Sequence, residues 1–91
     1  MLFVALLTAT GGTAEERIAR RMEWQYPEGI RPVAEYWLQA AEPSVITVFE
    51  ADSNAAVMAL TIAWTDVFDI TVVPAVTGEQ GMELAKQMMA G

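Results

Sequence analysis

Two glutamates are the residues in this chain whose type and spacing best suit chemistry. Glu35 and Glu50 lie in two neighbouring segments, 31–40 and 45–51, which both have the composition of β-strands. A four-residue turn between the segments predicts a hairpin with Glu35 opposite Glu50 on one face. Facing carboxylates raise each other's proton affinity or hold a cation between them, which suits an acid/base pair or a hard-cation site. The alternative is that both point into water or pair with an arginine such as Arg31.

Two tryptophans could form an aromatic wall for a flat ligand. Trp37 shares the predicted face of Glu35, which is open to solvent or to a partner, and Trp64 lies near the end of the second predicted helix. Ligand pockets are mostly apolar with a few polar groups, so two indole rings suit such a wall. The competing interpretation for both residues is structural, because large aromatic side chains also fill cores and subunit seams.

Two aspartates bracket the start of the last predicted strand. Asp66 and Asp69 could meet Glu50 or Asp52 at one end of the sheet and form a carboxylate cluster. Aspartate is also ordinary turn chemistry between a helix and a strand, and the spacing does not match a calcium-binding loop. The sequence therefore predicts no metal site, and these residues remain candidates for ligand binding.

Four of the five basic residues are arginines close together in the chain, at positions 17, 20, 21 and 31. Such a patch could recognise an anionic ligand or the acidic surface of a neighbour. Glu16 precedes Arg20 by four residues, however, so part of this charge also fits a self-paired, solvated helix face.

The composition excludes several function classes. The chain has no cysteine and no histidine, which removes thiolate catalysis and the commonest general base and metal ligand, so no cofactor is predicted. Its net charge of −7 argues against nucleic acid and anionic membranes as partners. The apolar run at 2–7 is too short for a leader peptide and lacks a basic flank, so it predicts a buried strand and a cytoplasmic protein.

The order of the elements predicts the fold. Residues 1–91 make one domain with strands at 2–9, 31–40, 45–51 and 68–76, and with helices that start after a cap at Thr13, after a capping segment at Asp52–Asn54 and after a cap at Thr77. The order β-α-β-β-α-β with right-handed crossovers predicts a ferredoxin-like α+β sandwich with a four-stranded antiparallel sheet and an extra C-terminal helix. Pro74 cannot donate to a strand ladder, which favours an edge position for the last strand.

The hairpin register predicts which side chains lie under the helices. Residues 34, 36 and 38 share one face with 47, 49 and 51 and are expected beneath the helices, whereas 35, 37 and 39 share the open face with 46, 48 and 50. With 54% hydrophobic residues and a first strand that is apolar on both sides, the chain has more apolar surface than so small a domain hides. We therefore expect a homodimer in which two sheets face each other.

Several short segments together resemble a known family. They are Pro27–Ile30, Glu35–Trp37, Val48–Asp52, Trp64–Ile70 and Val73–Val76. They are similar to a family of small proteins described only as a domain of unknown function, which resembles a branch of the dimeric α+β barrel superfamily. The resemblance implies a ferredoxin-like fold and a sheet-to-sheet dimer, and it implies no reaction.

Two departures from that family bear on the site. Its members often carry a histidine directly after the strand tryptophan, where this chain has Leu38, so no role for an imidazole transfers. Their hairpin turn is rich in glycine, whereas here it reads Ala-Glu-Pro-Ser at 41–44, which leaves a register slip of one residue as an alternative.

Three functions fit the sequence. The first, favoured by the lack of histidine, cysteine and any nucleophile motif, is a homodimer that binds a small apolar ligand or a partner at the sheet face. The second follows from the superfamily resemblance and is a cofactor-independent monooxygenase or isomerase that uses the carboxylates with Trp37. The third is a protein-interaction module that docks through its methionine-rich C-terminal helix, since methionine surfaces adapt to varied shapes.

Overall fold

A four-stranded antiparallel sheet carries the fold. The computed structural model describes all 91 residues, with strands β1 (Leu2–Ala9), β2 (Ile30–Trp37), β3 (Val45–Ala51) and β4 (Phe68–Pro74), and helices α1 (Ala14–Glu23), α2 (Asn54–Ile62) and α3 (Gly78–Ala90). The strand order is β2-β3-β1-β4. This confirms the predicted ferredoxin-like sandwich with an additional C-terminal helix. None of the helices has both the length and the apolar character needed to cross a bilayer.

Side-chain caps set the start of each helix, as the sequence predicts. The hydroxyls of Thr13 and Ser53 each accept a hydrogen bond from a backbone N–H in the first helical turn. Thr77 and Gln80 form both halves of a capping box, with distances of 3.0 and 3.1 Å. At α1 only the Thr13 half of the predicted box forms, because the Glu16 side chain does not bond back to the cap.

The predicted hairpin register was wrong. Glu35 lies opposite Thr47 rather than Glu50, and Trp37 lies opposite Val45. The strand therefore ends at Trp37, and a seven-residue connection follows in place of the four-residue turn. The two glutamates do not meet, so the repelling carboxylate pair does not exist.

The connection between β2 and β3, three residues longer than the expected turn, accounts for the new register at Glu35. Pairing is regular from Ile30 to Pro32, shifts between Pro32 and Ala34 at a β-bulge, and then continues with Val33 as the extra residue. Because side chains alternate along a strand, the shift of three residues moves Glu35 and Trp37 to the opposite face, and the extra residue at the bulge reverses that change for Ile30 to Pro32. Proline within a strand marks edge positions and bulges, so Pro32 was a signal that the sequence offered.

The longer connection exchanges the predicted faces of β2 from Ala34 onwards. Glu35 and Trp37 lie on the face that the helices cover, called the inner face here, beside the buried Thr47. Ala34 and Tyr36, predicted beneath the helices, lie on the other side instead, and Leu38 and Gln39 fall beyond the strand end. We call that other side the open face; its apolar residues are Leu2, Val4, Leu6, Ala34, Tyr36, Ile46, Val48 and Val73.

Only one helix is packed tightly on the sheet. The core surrounds the fully buried Phe49 on the inner face and includes three residues of α2, namely Ala56, Val57 and Leu60. Neither α1 nor α3 buries any residue, and Met22, predicted on the apolar stripe of α1, is 79% exposed. The radius of gyration is 15.2 Å, against about 12 Å for a compact domain of this length. The chain is elongated, with a longest dimension of 52 Å.

Candidate functional site

Arginine side chains, rather than apolar contacts, hold α1 to the rest of the domain. Arg17 Nη1 donates to the carbonyl oxygens of Gly11 and Gly12 at 2.6 and 3.0 Å. Arg20 binds both carboxylate oxygens of Asp66, at 2.9 and 3.1 Å, and also donates to the carbonyl of Ala63. Since no residue of α1 is buried, the helix stays above the inner face and leaves a space beneath it.

That space is a cavity of about 170 Å³ between α1 and the inner face. Its walls are mostly apolar and contain all three tryptophans of the chain. Only three lining residues carry a formal charge, namely Arg17, Arg21 and Glu35. The remaining lining residues are Leu7, Ala14, Ile18, Trp24, Tyr26, Trp37, Ser44, Val45, Thr47, Trp64 and Phe68.

The Glu35 carboxylate is the centre of a polar cluster in the cavity wall. Arg21 donates to it through Nε and Nη2 at 3.1 to 3.2 Å, the Tyr26 hydroxyl donates at 2.8 Å, and Trp37 Nε1 donates at 2.7 Å. Burial acts to raise the pKa of Glu35, but the hydrogen bonds from Arg21, Trp37 and Tyr26 and the Arg21 charge outweigh it, so the pKa lies below its usual value. Glu35 is therefore an ionised acceptor near neutral pH.

Tyr26 and Arg21, which donate to Glu35, also keep one protonation state near neutral pH. Burial and the hydrogen bond to Glu35 raise the pKa of Tyr26 to about 12, so its hydroxyl stays a donor. The hydrogen bond to Glu35 raises the pKa of Arg21, although burial opposes the effect. Arg21 Nη1 also donates to the carbonyl of Trp24 at 3.3 Å, which ties the end of α1 to the chain that follows it.

Packed aromatic rings form another part of the cavity wall. Trp24 meets Trp64 edge-on with ring centroids 5.6 Å apart, and Trp64 meets Phe68 in the same manner at 5.8 Å. The guanidinium of Arg20 lies 4.6 Å from the centroid of the Trp64 ring, on which it stacks. Trp64 is only 6% exposed, so the protein packs closely around this part of the wall.

The structure brings three of the six candidate residues together. Glu35, Trp37 and Trp64 all line the cavity. Trp37 joins Trp64 because the longer connection changes its register and turns it inward, whereas the sequence placed it on the open face.

The other three candidates lie elsewhere. Glu50 is on the open face and pairs with the N-terminal amine at 3.1 Å. Asp66 pairs with Arg20, whose hydrogen bond lowers the pKa of that aspartate. Asp69 is exposed on β4, opposite Thr8 of β1. The predicted carboxylate cluster does not form, since no three acidic groups gather.

Sequence reasoning missed several residues of the cavity. Thr47 is the one buried polar residue of the chain, and a hydroxyl inside an otherwise apolar strand segment was a usable signal. Arg17 and Arg21 were noted as part of a charged patch, but their spacing of four residues also put both on one helix face. The Trp24 and Tyr26 pair follows α1 directly, and only the three-dimensional course of that segment brings it to Glu35.

Comparison with known proteins identifies a family. No curated protein and no solved structure matches the chain. The model of the family described as "Domain of unknown function (DUF3303)" matches residues 1–89. This confirms the predicted resemblance to a family of unknown function, whereas the placement in the dimeric α+β barrel superfamily stays a prediction. Because the match spans nearly the whole chain, the protein belongs to the DUF3303 family.

Proposed function

We propose that this protein binds a small molecule in the cavity beneath α1. The observation that carries the proposal is the cavity itself, about 170 Å³ of space with mainly apolar walls and one cluster of oriented polar groups. A cavity of about 150 Å³ accommodates a molecule the size of benzene. The space thus suits a ligand with a single ring, and the combination of apolar walls with a few fixed polar groups is typical of ligand sites.

The polar cluster favours binding over acid/base catalysis. A general base works best with a pKa near the operating pH. The pKa of Glu35 lies below its usual value, and that of Tyr26 is about 12, so neither group exchanges a proton readily at neutral pH. The monooxygenase or isomerase alternative therefore has less support than a binding role.

The experiment is an NMR screen of the uniformly labelled protein with neutral and charged single-ring compounds. Binding in the cavity is expected to shift the indole N–H signals of Trp24, Trp37 and Trp64, which all line it. Ala14→Phe fills the cavity and should abolish the shifts, whereas Ala19→Phe makes the same change on an exposed position of α1 outside the lining and should retain them. Shifts confined to the open face, or equal binding by both variants, would contradict the proposal.

We also propose that the protein is a homodimer. The open face has no helix over it and bears eight apolar residues, of which Tyr36 is 57% and Val73 40% exposed. A second copy of the same face would cover them, and burial of apolar area contributes about 25 cal/mol per Å². The charged edge of this face, where Glu50 pairs with the N-terminus, suits a solvated rim.

Native mass spectrometry of the freshly purified, untagged chain tests this second proposal. A dimer that Ile46→Lys converts to a monomer supports the open face as the interface, because Ile46 lies on that face between Leu6 of β1 and Tyr36 of β2. A dimer that survives Ile46→Lys but is lost on removal of α3 would instead support the alternative that the methionine-rich helix is the interaction surface. A wild-type monomer would contradict both.

A further inference from the structure

We propose that the ligand of the α1 cavity is a small monoanion on a flat ring, an aromatic monocarboxylate, and that Arg17 binds its carboxylate. This inference rests on the proposed binding function and adds the chemical class of the ligand.

Arg17 is the one arginine of the chain without an acidic partner. Ion pairs occupy Arg20, Arg21 and Arg31, and the N-terminal amine takes Glu50. Arg17 uses Nη1 alone, for two backbone carbonyls, whereas Nε and Nη2 donate to no protein atom. Those two nitrogens form the edge of the guanidinium that binds a carboxylate through two parallel hydrogen bonds.

The charge of the cavity differs in sign from the charge of the protein. Two arginines and one glutamate among the lining residues give the cavity a formal charge of +1, in a chain whose net charge is −7. The Glu35 charge is already compensated by Arg21. An anionic ligand would therefore neutralise the one unpaired charge of the site, whereas a cation would be repelled.

The position of Arg17 beside the aromatic wall favours a ligand with one flat ring and a carboxylate at its edge. Its guanidinium carbon lies 5.9 Å from the centroid of the Phe68 ring, and Phe68 continues into Trp64. Arg17 and Phe68 both line the cavity, so a flat ring that packs against this wall can place its carboxylate beside the Arg17 guanidinium. The volume of the cavity, about 170 Å³, leaves room for one ring and not for two.

Three probes with one ring and different charges test the inference: benzoate, benzamide and benzylamine. Isothermal titration of the intact protein should give affinities in the order benzoate, benzamide, benzylamine, with benzoate at least about tenfold ahead of benzamide. The benzoate affinity should fall as salt is raised, because a partly exposed ion pair is screened.

Variants assign the effect to Arg17. Arg17→Gln should weaken benzoate binding about tenfold to hundredfold, which is the usual contribution of a charge-assisted hydrogen bond, and should leave benzamide binding unchanged. Arg31→Gln removes the same charge from an exposed site outside the cavity and should change neither. Arg17→Lys keeps the charge without the paired donors, and it should retain the preference for benzoate with reduced affinity.

The outcomes separate this inference from the proposal on which it rests. Equal affinity for benzoate and benzamide would overturn the anion preference and leave ligand binding intact. An equal loss of benzoate binding in Arg17→Gln and Arg31→Gln would overturn the role of Arg17. If none of the three probes shifts an indole signal, the binding function itself fails. If Arg17→Gln does not fold, the order of affinities for the wild type and Arg17→Lys still decides the question.

Discussion

Replacement of Glu35 by glutamine is expected to destabilise the protein by about 2–3 kcal/mol. The carboxylate accepts from three side chains, Arg21, Tyr26 and Trp37, and both members of the ion pair are partly buried, with side-chain exposures of 33% for Arg21 and 21% for Glu35. Glutamine offers one acceptor oxygen and turns an NH2 group towards at least one of these donors. Hydrogen bonds to a charged group contribute about 1.5–3 kcal/mol, and a fully buried broken pair costs about 3–5 kcal/mol.

Thermal unfolding followed by circular dichroism measures this loss. For a domain of this size each kcal/mol corresponds to about 4–8 °C in Tm, so Glu35→Gln should lower Tm by roughly 10–20 °C. Glu50→Gln is the matched control. Glu50 pairs with the exposed N-terminal amine and is itself 39% exposed, so this change should cost less than about 1 kcal/mol.

The comparison of the two variants can refute the reasoning. If the glutamates repelled each other, as the predicted register required, either substitution would raise Tm. If the Glu35 cluster contributed no more than a surface ion pair, both substitutions would lower Tm by the same small amount. Only a much larger loss at Glu35 agrees with a carboxylate that organises Arg21, Tyr26 and Trp37.

Two further predictions concern the pH dependence of stability and the removal of α3. Because the folded-state pKa of Glu35 is depressed, its contribution to stability is complete above the pKa of a free glutamate, about 4.3, and is lost as the pH falls through the lower folded value. Tm should therefore drop below about pH 4.5 in the wild type and less steeply in Glu35→Gln, as measured by melting curves at a series of pH values. Truncation after Val76 removes α3, which buries none of its residues, so Tm of the dilute protein should change by less than about 4 °C; a larger fall would mean that α3 packs on the domain.

The sequence predicted the elements well because local signals define them. The bounds of β1 and β3, the caps at Thr13 and Thr77 and the capping segment that contains Ser53 were all predicted correctly, since apolar runs and hydroxyl caps act over a few residues. The order of these elements then leaves the ferredoxin-like topology as the natural arrangement.

The site was harder to predict because it depends on register. The length of the connection after β2 decides whether Glu35 points into the cavity or away from it, because a change by an odd number of residues reverses the faces of the strand. The prediction assumed unbroken pairing and the shortest turn, and so paired Glu35 with Glu50. The partners of Glu35 come from α1 and from the segment after it, and no local pattern links Arg21 or Tyr26 to β2.

The same contacts that form the site also hold α1 in place. The stability of the protein and its ability to bind a ligand therefore depend on the same residues. A helix that buries no residue depends on its hydrogen bonds, and those of α1 run from Arg17 to the loop before it, from Arg20 to Asp66 and from Arg21 to Glu35. Elements with few buried apolar contacts open more readily than the core. The α1 helix is therefore the wall of the cavity that can move most easily, whereas the sheet forms its fixed floor. A substitution that weakens the Arg21–Glu35 pair should loosen the wall and disturb the polar cluster together, so a loss of binding in Glu35→Gln is expected to accompany its loss of stability.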